Sequence, residues 1–422
     1  MNASLVSNTK PGCASRGRKR VLVVAYGRAD RLCGYSHRIK ELTRALAEGG
    51  HDVVLLWFTA FYRAYACHQF DALRAVATVV IRPTLPIGRI RGSSVIGRWI
   101  CSRAIAREAS RRAIDIVQAE TILAAGLVLR ARTNLPLVVD LHGDQVPVWR
   151  AQRYPEWSIR QIERDTVAAC REAAGFVVVS DCLKNKIRVA ANRPDLPFCV
   201  VPCGVATERF ALSRLEREEM RQKLGVRDRF VLCYCGGLDS WQCIGETLAL
   251  VTALMRRNPQ VCFMLMTKDD LSPWRVKLGQ LGQDGRDYLV INADPGMVPR
   301  YLVAADCGLL IRRQDPVNEV ASPTKLGEYL AAGIPVVTTR FAGDASTIIA
   351  STGCGIVTDD VRPSDSELSA LEQFIRRTME RREAVAVECR AIAEKEQNWS
   401  TVSQRLLAMV DSLAATTQGR GV

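Results

Sequence analysis

The sequence holds little that would bind a metal. Only four histidines occur in 422 residues, and the fifteen cysteines are scattered through apolar runs, as at Cys199, Cys233, Cys262 and Cys307. Cys233 and Cys235 lie two apart and Cys199 and Cys203 four apart, without the paired spacing of a zinc site. Neither a structural metal nor a disulfide framework is expected, and buried free thiols are. Long apolar runs are also missing: no window approaches the roughly 18 apolar residues that span a bilayer, and the nearest, VVLLWFTAF, has the length of a strand. The opening MNASLVSNTKPGCASRGRKR lacks the apolar region of a secretory signal, so residues 1–19 read as a disordered basic tail. The chain is expected to be cytoplasmic, or at most to lie on a membrane. Aromatic residues make up only 6%, against 48% hydrophobic residues overall, which disfavours an aromatic-rich β-sandwich and suits buried sheets covered by helices.

What is present is a repeated strand–helix pattern. VLVVAY (21–26), VVLLWF (53–58), VATVVI (76–81), DIVQAE (115–120), LPLVVDL (135–141), GFVVVS (175–180) and FCVVPCGV (198–205) recur with helical patterns between them. Most are continuous rather than alternating, the pattern of parallel strands covered on both faces. A charge-dense stretch, residues 206–229, interrupts the series. It then restarts with FVLCYCGG (230–237), VCFMLMT (261–267), YLVIN (288–292), CGLLIR (307–312), IPVVTT (334–339) and GIVT (355–358). A chain of this length exceeds what one core supports. The expected fold is α/β, with two Rossmann-like doubly wound domains, residues 20–206 and 207–395, facing across a cleft. Residues 388–415 read as helical around Trp399, and residues 396–422 are expected to pack back on the first domain. Open sheets of this kind bind ligands at the carboxyl ends of their strands.

One segment stands out there, SPTKLGEYLAAGIPVV (322–337). Ser322 suits an N-cap and Pro323 the first helical position, and Gly333 and Pro335 end a helix of about ten residues. The first turn carries Thr324 and Lys325 where acidic residues are usual, at an end already rich in free amides and partial positive charge, which prepares it for a phosphate. Glu328, three residues on, shares nearly the same face, where a carboxylate can accept hydrogen bonds from a ribose diol. An exposed Lys–Glu pair on an ordinary helix is the plainer alternative on these residues alone.

In its context this segment resembles the donor-binding helix of the family 4 retaining glycosyltransferases of GT-B fold. GYSHRIKELTRALAEGGHDVVLL, DLHGD (140–144), VVPCGVATERF, FVLCYCGGLDSWQ and VPRYLVAADCGLLI follow in that family's order. The resemblance implies transfer of a sugar, of hexosyltransferase type, from a nucleotide-diphosphate sugar with retention, needing no cofactor and no metal. It assigns Lys325 to the diphosphate, Glu328 to the ribose, Ser322 and Thr324 to supporting contacts, Gly236 and Gly237 to close backbone approach, and Gly34 to donor or acceptor. His142 takes a place beside the transferred sugar and Asp144 one beside the acceptor. Two departures matter. The family's first glutamate, eight positions before the second, falls on Val320, with Glu319 one place off as a candidate catalytic carboxylate. The GGLDSWQ loop lacks the usual cations, leaving Arg312 or Arg313, or Arg28 and Arg31, to assist Lys325.

Charge divides unevenly: residues 1–200 hold 31 Lys/Arg and 16 Asp/Glu (+15), and residues 201–422 hold 27 and 28 (−1). The first half therefore faces something anionic. Residues 85–114 carry seven arginines with Ile96, Trp99 and Ile100, a pattern of either an anionic membrane surface or a solvated covering helix. Nucleic acid is not an expected partner, since no recognition motif appears. The acceptor implied is a saccharide or lipid-linked intermediate of surface polysaccharide synthesis. A nucleotide-sugar epimerase and a non-catalytic scaffold remain alternative functions.

Overall fold

In the computed structural model, residues 17–28, 33–61 and 68–418 are described. Residues 1–16 of the expected basic tail, and Arg31, lie outside the described residues. Seven strands form the first sheet: β1 (Arg20–Tyr26), β2 (Asp52–Ala60), β3 (Thr78–Thr84), β4 (Ile116–Glu120), β5 (Leu137–Leu141), β6 (Gly175–Val178) and β7 (Phe198–Val200). Their order is β3-β2-β1-β4-β5-β6-β7 and every pairing is parallel. Six more form the second sheet: β8 (Phe230–Cys235), β9 (Val261–Met266), β10 (Tyr288–Ile291), β11 (Cys307–Leu310), β12 (Val336–Thr339) and β13 (Gly355–Thr358). It too is parallel throughout, in the order β10-β9-β8-β11-β12-β13.

The continuous apolar runs are explained by what covers each face. Along β1, Leu22 and Val24 enter one core cluster while Val21, Val23 and Ala25 enter another. Along β8, Val231, Cys233 and Cys235 enter one cluster and Phe230, Leu232 and Tyr234 the other. Each strand thus buries both of its faces, which is why period-two alternation is missing from the sequence. In both sheets the order runs outward in both directions from the first strand. The switch points lie between β1 and β4 and between β8 and β11, and loops leaving those strands line the crevice where such sheets take ligands.

The thirteen cysteines among the described residues are free, and nine of them are buried in these cores. No helix among the described residues is long and apolar enough to cross a membrane.

The C-terminal segment differs from a continuous helix. It breaks at Gln397–Asn398 into helices Arg382–Glu396 and Trp399–Gln418. The backbone at the break is diverted to Val205, whose N–H donates to Gln397 O (2.7 Å) and whose carbonyl accepts from the Trp399 N–H (3.2 Å). Trp399, Val402, Leu406, Leu407 and Val410 then enter the first domain's core beside Ile39, Leu42 and Leu46 of helix Gly34–Glu48. Large apolar side chains buried this way each contribute about 1.5–3 kcal/mol, more than helix propensity supplies. The last helix therefore belongs to the first domain, although it follows the second in sequence.

Candidate active site

At the carboxyl end of the first sheet, β4 ends in Glu120 and β5 in Asp140–Leu141, with His142 immediately after. Glu120 and Asp140 are fully buried, and the His142 Nε2 lies 2.8 Å from Glu120 Oε2 and 3.2 Å from Asp140 Oδ2. Arg38, 1% exposed, reaches Asp140 through Nε (2.9 Å) and Nη2 (2.8 Å), and its Nη1 donates to the carbonyls of Val201 (2.8 Å) and Pro202 (3.1 Å). Gln118 Nε2 donates to Glu120 Oε1 (2.7 Å). Two carboxylates are thus balanced by one guanidinium and one imidazole, the arrangement that makes charge burial tolerable. Burial works against a charged imidazole, but Asp140 and then Glu120 outweigh it and hold the His142 pKa above its ordinary value. For Asp140, burial is outweighed by Arg38 and His142, and its carboxyl stays far below the usual range. Burial, reinforced by Asp140, raises Glu120. Tyr35 closes the site from the first helix: its ring lies 5.0 Å from that of His142 and its hydroxyl donates to Tyr26 O (3.0 Å).

On the opposite wall stands helix Thr324–Ala331. It begins one residue later than the sequence suggests. Pro323 occupies the N-cap with extended backbone, and Ser322 does not cap the helix. Its hydroxyl accepts instead from the Cys203 N–H of the first domain (3.0 Å), so a residue suited to capping is used to join domains. Thr324 Oγ1 lies 3.9 Å from where a Cβ on Gly34 would stand, which brings the two expected loops face to face.

Lys325 points down into the second domain. It is 8% exposed, and its ammonium donates to Gln242 Oε1 (2.5 Å) and Tyr234 Oη (3.1 Å), over the Tyr234 ring. Arg312, 3% exposed, donates to the same Gln242 Oε1 (2.7 Å) and to Gln242 O (3.1 Å). Among the described residues neither cation makes an ion pair. Burial, reinforced by Arg312, pushes the Lys325 pKa down to about 7, and burial pushes that of Glu328 up to about 7. Gly236, at φ +130°, gives Lys325 room, since a Cβ there would stand 2.6 Å from its Cε. Two buried cations sharing one neutral oxygen form a site electrostatically incomplete without an anion. Beside them a cavity of about 520 Å³ opens between the loops after β8, β9 and β11, lined in part by Asp239, Cys243, Glu246, Asp269, Trp274 and Arg313.

Residues 33–209 match the family model Glycosyltransferase Family 4. The chain is similar to the protein TuaC of Bacillus subtilis (strain 168), assigned as a teichuronic acid biosynthesis glycosyltransferase: 26% identity over 238 residues, 55% of this chain and 54% of that one. It is also similar to TuaH of the same strain and assignment: 49% over 193 residues, 45% of this chain and 46% of that one. The chain spans about half the length of these curated relatives. Among solved structures, Anabaena HepE in complex with UDP superposes with a TM-score of 0.70 at 18% identity, over 93% of this chain and 100% of that one. Sucrose-phosphate synthase of Thermosynechococcus elongatus gives 0.72 at 16%, over 94% and 100%. These likenesses give the fold as GT-B. Over residues 33–209 the chain resembles the family 4 glycosyltransferases.

The residues expected at the site are only partly gathered. His142, Gly34, Gly236, Lys325, Glu328 and Arg312 line the two walls described above, with Gly237 a position further along the loop after β8. Arg313 turns out to solvent and pairs with Glu246 (3.5 Å). Arg28 is exposed. Asp144 caps helix Gln145–Ala151, accepting from the Val146 N–H (3.1 Å), and pairs with Lys186 (2.6 Å). Glu319 ends helix Pro316–Glu319, exposed and close enough to Cys182 to add to the upward shift of its pKa that burial and Asp344 chiefly cause. Its neighbour Val320 is buried in the first domain's core cluster and accepts from Ser180 Oγ (2.8 Å). The position eight before Glu328 is therefore an interdomain packing site.

Sequence reasoning missed Glu120, Arg38, Gln242 and Arg209, the last an exposed cation that lowers the cost of charging Glu328. A signal for the first existed: DIVQAE ends an apolar strand in a carboxylate, which needs a partner once buried. Glu120, Asp140 and His142 also form the one group among the described residues with ligand atoms within 4.8 Å of one another. Arg38 already occupies both Asp140 oxygens and His142 Nε2 faces both carboxylates, so the clustered ligand atoms are engaged with one another and fit a metal poorly, while the buried His142 Nδ1 has no partner.

Proposed function

We propose that this chain transfers a hexosyl group from a nucleoside-diphosphate sugar to a saccharide or lipid-linked acceptor of surface polysaccharide synthesis, with retention and without a metal. The observation that carries it is the Lys325–Arg312 pair: two buried cations bridged by the neutral Gln242, at the amino end of helix Thr324–Ala331 and opposite the Gly34 loop. In the reaction the bond from the anomeric carbon to the diphosphate breaks, one to the acceptor hydroxyl oxygen forms, and the hydroxyl proton passes to the departing diphosphate. The charge released on the diphosphate falls on Lys325, Arg312 and the free amides of the helix's first turn, preorganised groups of the kind that stabilise a leaving anion. Glu328 accepts from the ribose. His142, its pKa raised by Asp140 and Glu120 against the effect of burial, stands beside the sugar from the other wall. The assignment of both relatives to teichuronic acid synthesis supports the polymer class, and the UDP in the HepE structure makes UDP-sugars the first donors to test.

A thermal-shift screen of UDP-, GDP- and dTDP-sugars tests the donor site. A true donor at about 100 times its dissociation constant stabilises the protein by about 2.7 kcal/mol. Lys325→Ala should abolish that shift and the transfer of labelled sugar. No shift with any of the three classes would remove the basis for the assignment.

A further inference from the structure

Helix Arg91–Arg111 is built the wrong way round in its first half. It turns Ser94, Gly97, Arg98 and Ser102 inward. It leaves Val95 (65% exposed), Ile96 (50%) and Trp99 (55%) outward, beside Ile90 (65%) just before it. A surface helix ordinarily does the reverse. The inward residues are occupied: Arg98 pairs with Asp165 (2.8 Å), Ser94 Oγ accepts from the Gly88 N–H (2.7 Å), and Gly97 lies against the Leu85 carbonyl. The helix is thus held firmly with its large apolar side chains in water. Along the outer face the next positions are Arg103, stacked on the Trp99 ring (4.6 Å), and Arg107, with Arg91 at the start. The only acidic residue of the helix, Glu108, is 2% exposed and faces Arg82, Arg111 and Arg112.

We propose that this face docks on an anionic lipid bilayer, with Val95, Ile96 and Trp99 entering the headgroup–acyl boundary and Arg91, Arg103 and Arg107 meeting lipid phosphates. A second copy is disfavoured because a two-fold contact would set the same cationic rim against itself. Apolar side chains flanked by arginines with no exposed carboxylate match the charge of an anionic lipid surface.

The face is tied to the candidate site. The Ile87 N–H donates to Tyr26 Oη (2.7 Å), Tyr35 donates to Tyr26 O, and the Tyr35 ring meets His142. Two hydrogen bonds and one ring contact separate the bilayer-facing helix from the wall beside the transferred sugar. The inference rests on the proposed glycosyl transfer and narrows its acceptor to one presented at a membrane surface.

The test is sedimentation of the full chain with vesicles of phosphatidylglycerol and phosphatidylcholine, against phosphatidylcholine alone. Binding is expected only to the anionic vesicles and should weaken as salt is raised. Charge reversal of Arg91, Arg103 and Arg107 to Glu should weaken it at least about a hundredfold, taking about a fivefold contribution per arginine. Ile96→Ser with Trp99→Ser should weaken it while leaving salt dependence intact. The donor-induced thermal shift must survive in both variants, which separates failure of docking from failure of the transferase assignment. Equal binding of wild type and the arginine variant to anionic vesicles would overturn the proposal. So would absence of vesicle binding at low salt, or self-association through this face shown by a concentration-dependent sedimentation coefficient that the serine variant abolishes.

Discussion

Lys325 and Arg312 depend on Gln242 for the hydrogen bonds that water would otherwise supply. Because the acceptor is neutral, the pair keeps its positive charge available to the diphosphate of the proposed donor. Gln242→Glu would place a carboxylate between the two cations. The variant should melt at a higher temperature than wild type and bind donor at least about tenfold more weakly, a change of about 1.4 kcal/mol readable by calorimetry. Protonation gives an independent check. With its pKa pushed down to about 7, the Lys325 amine loses its charge as pH rises through neutrality, and a bound diphosphate restores it. Donor affinity should therefore fall as pH rises above about 7. Lys325→Arg, which stays charged, should flatten that fall. Glu328 titrates in the same range, so Glu328→Gln serves as the control that leaves only the lysine to respond. A decline unchanged in Lys325→Arg would show that another group controls it.

At the scale of elements, the chain shows local preference overridden by tertiary partners. Ser322 and Pro323 have the chemistry of a helix start, yet the helix begins at Thr324 because Ser322 is engaged by the Cys203 amide. The helical pattern through residues 388–415 has no strong breaker, yet it breaks where Gln397 and Trp399 bond to Val205. That crossing is tight. A Cβ on Gly204 would stand 2.6 Å from the Trp399 ring, and one on Gly327 would stand 2.9 Å from Val205. Gly204→Val should therefore cost about 1–3 kcal/mol of stability, measured by urea unfolding, and loosen the last helix from the first domain. Tryptophan fluorescence shifting to the red below the main transition would report that loosening. An unchanged midpoint would show that the crossing can relax.

For the whole molecule, the two domains meet through a few specific contacts rather than a broad shared core. Ser322 Oγ accepts from the Cys203 N–H, Ser180 Oγ donates to Val320 O, and Asp344 Oδ2 accepts from the Asp181 N–H (2.7 Å). Each neutral hydrogen bond contributes about 0.5–1.5 kcal/mol net. Removing two of them in Ser180→Ala with Ser322→Ala should weaken donor binding several-fold, because the cleft must close without them. Small-angle scattering should show a larger radius of gyration before donor is added. Equal affinity and equal radius would mean that these contacts follow closure without contributing to it.

The sequence alone was enough to place all thirteen strands, both sheets and the helix that bears Lys325 and Glu328. Those features are written locally, in apolar runs long enough to be buried on both faces and in residues whose backbone preferences start and stop helices. It also pointed to His142 and Arg312, each at a strand end. It did not reveal which arginine turns inward: Arg312 and Arg313 are neighbours in the chain, and only the pairing of β11 with β8 and β12 decides that one meets Gln242 while the other meets Glu246. Nor did it bring Glu120 and Asp140 to one imidazole and Arg38 to Asp140, since these three come from three elements up to 102 residues apart. Periodicity is a property of neighbours along the chain. A balanced cluster of buried charge is a property of strand order, and only the folded sheets supply it.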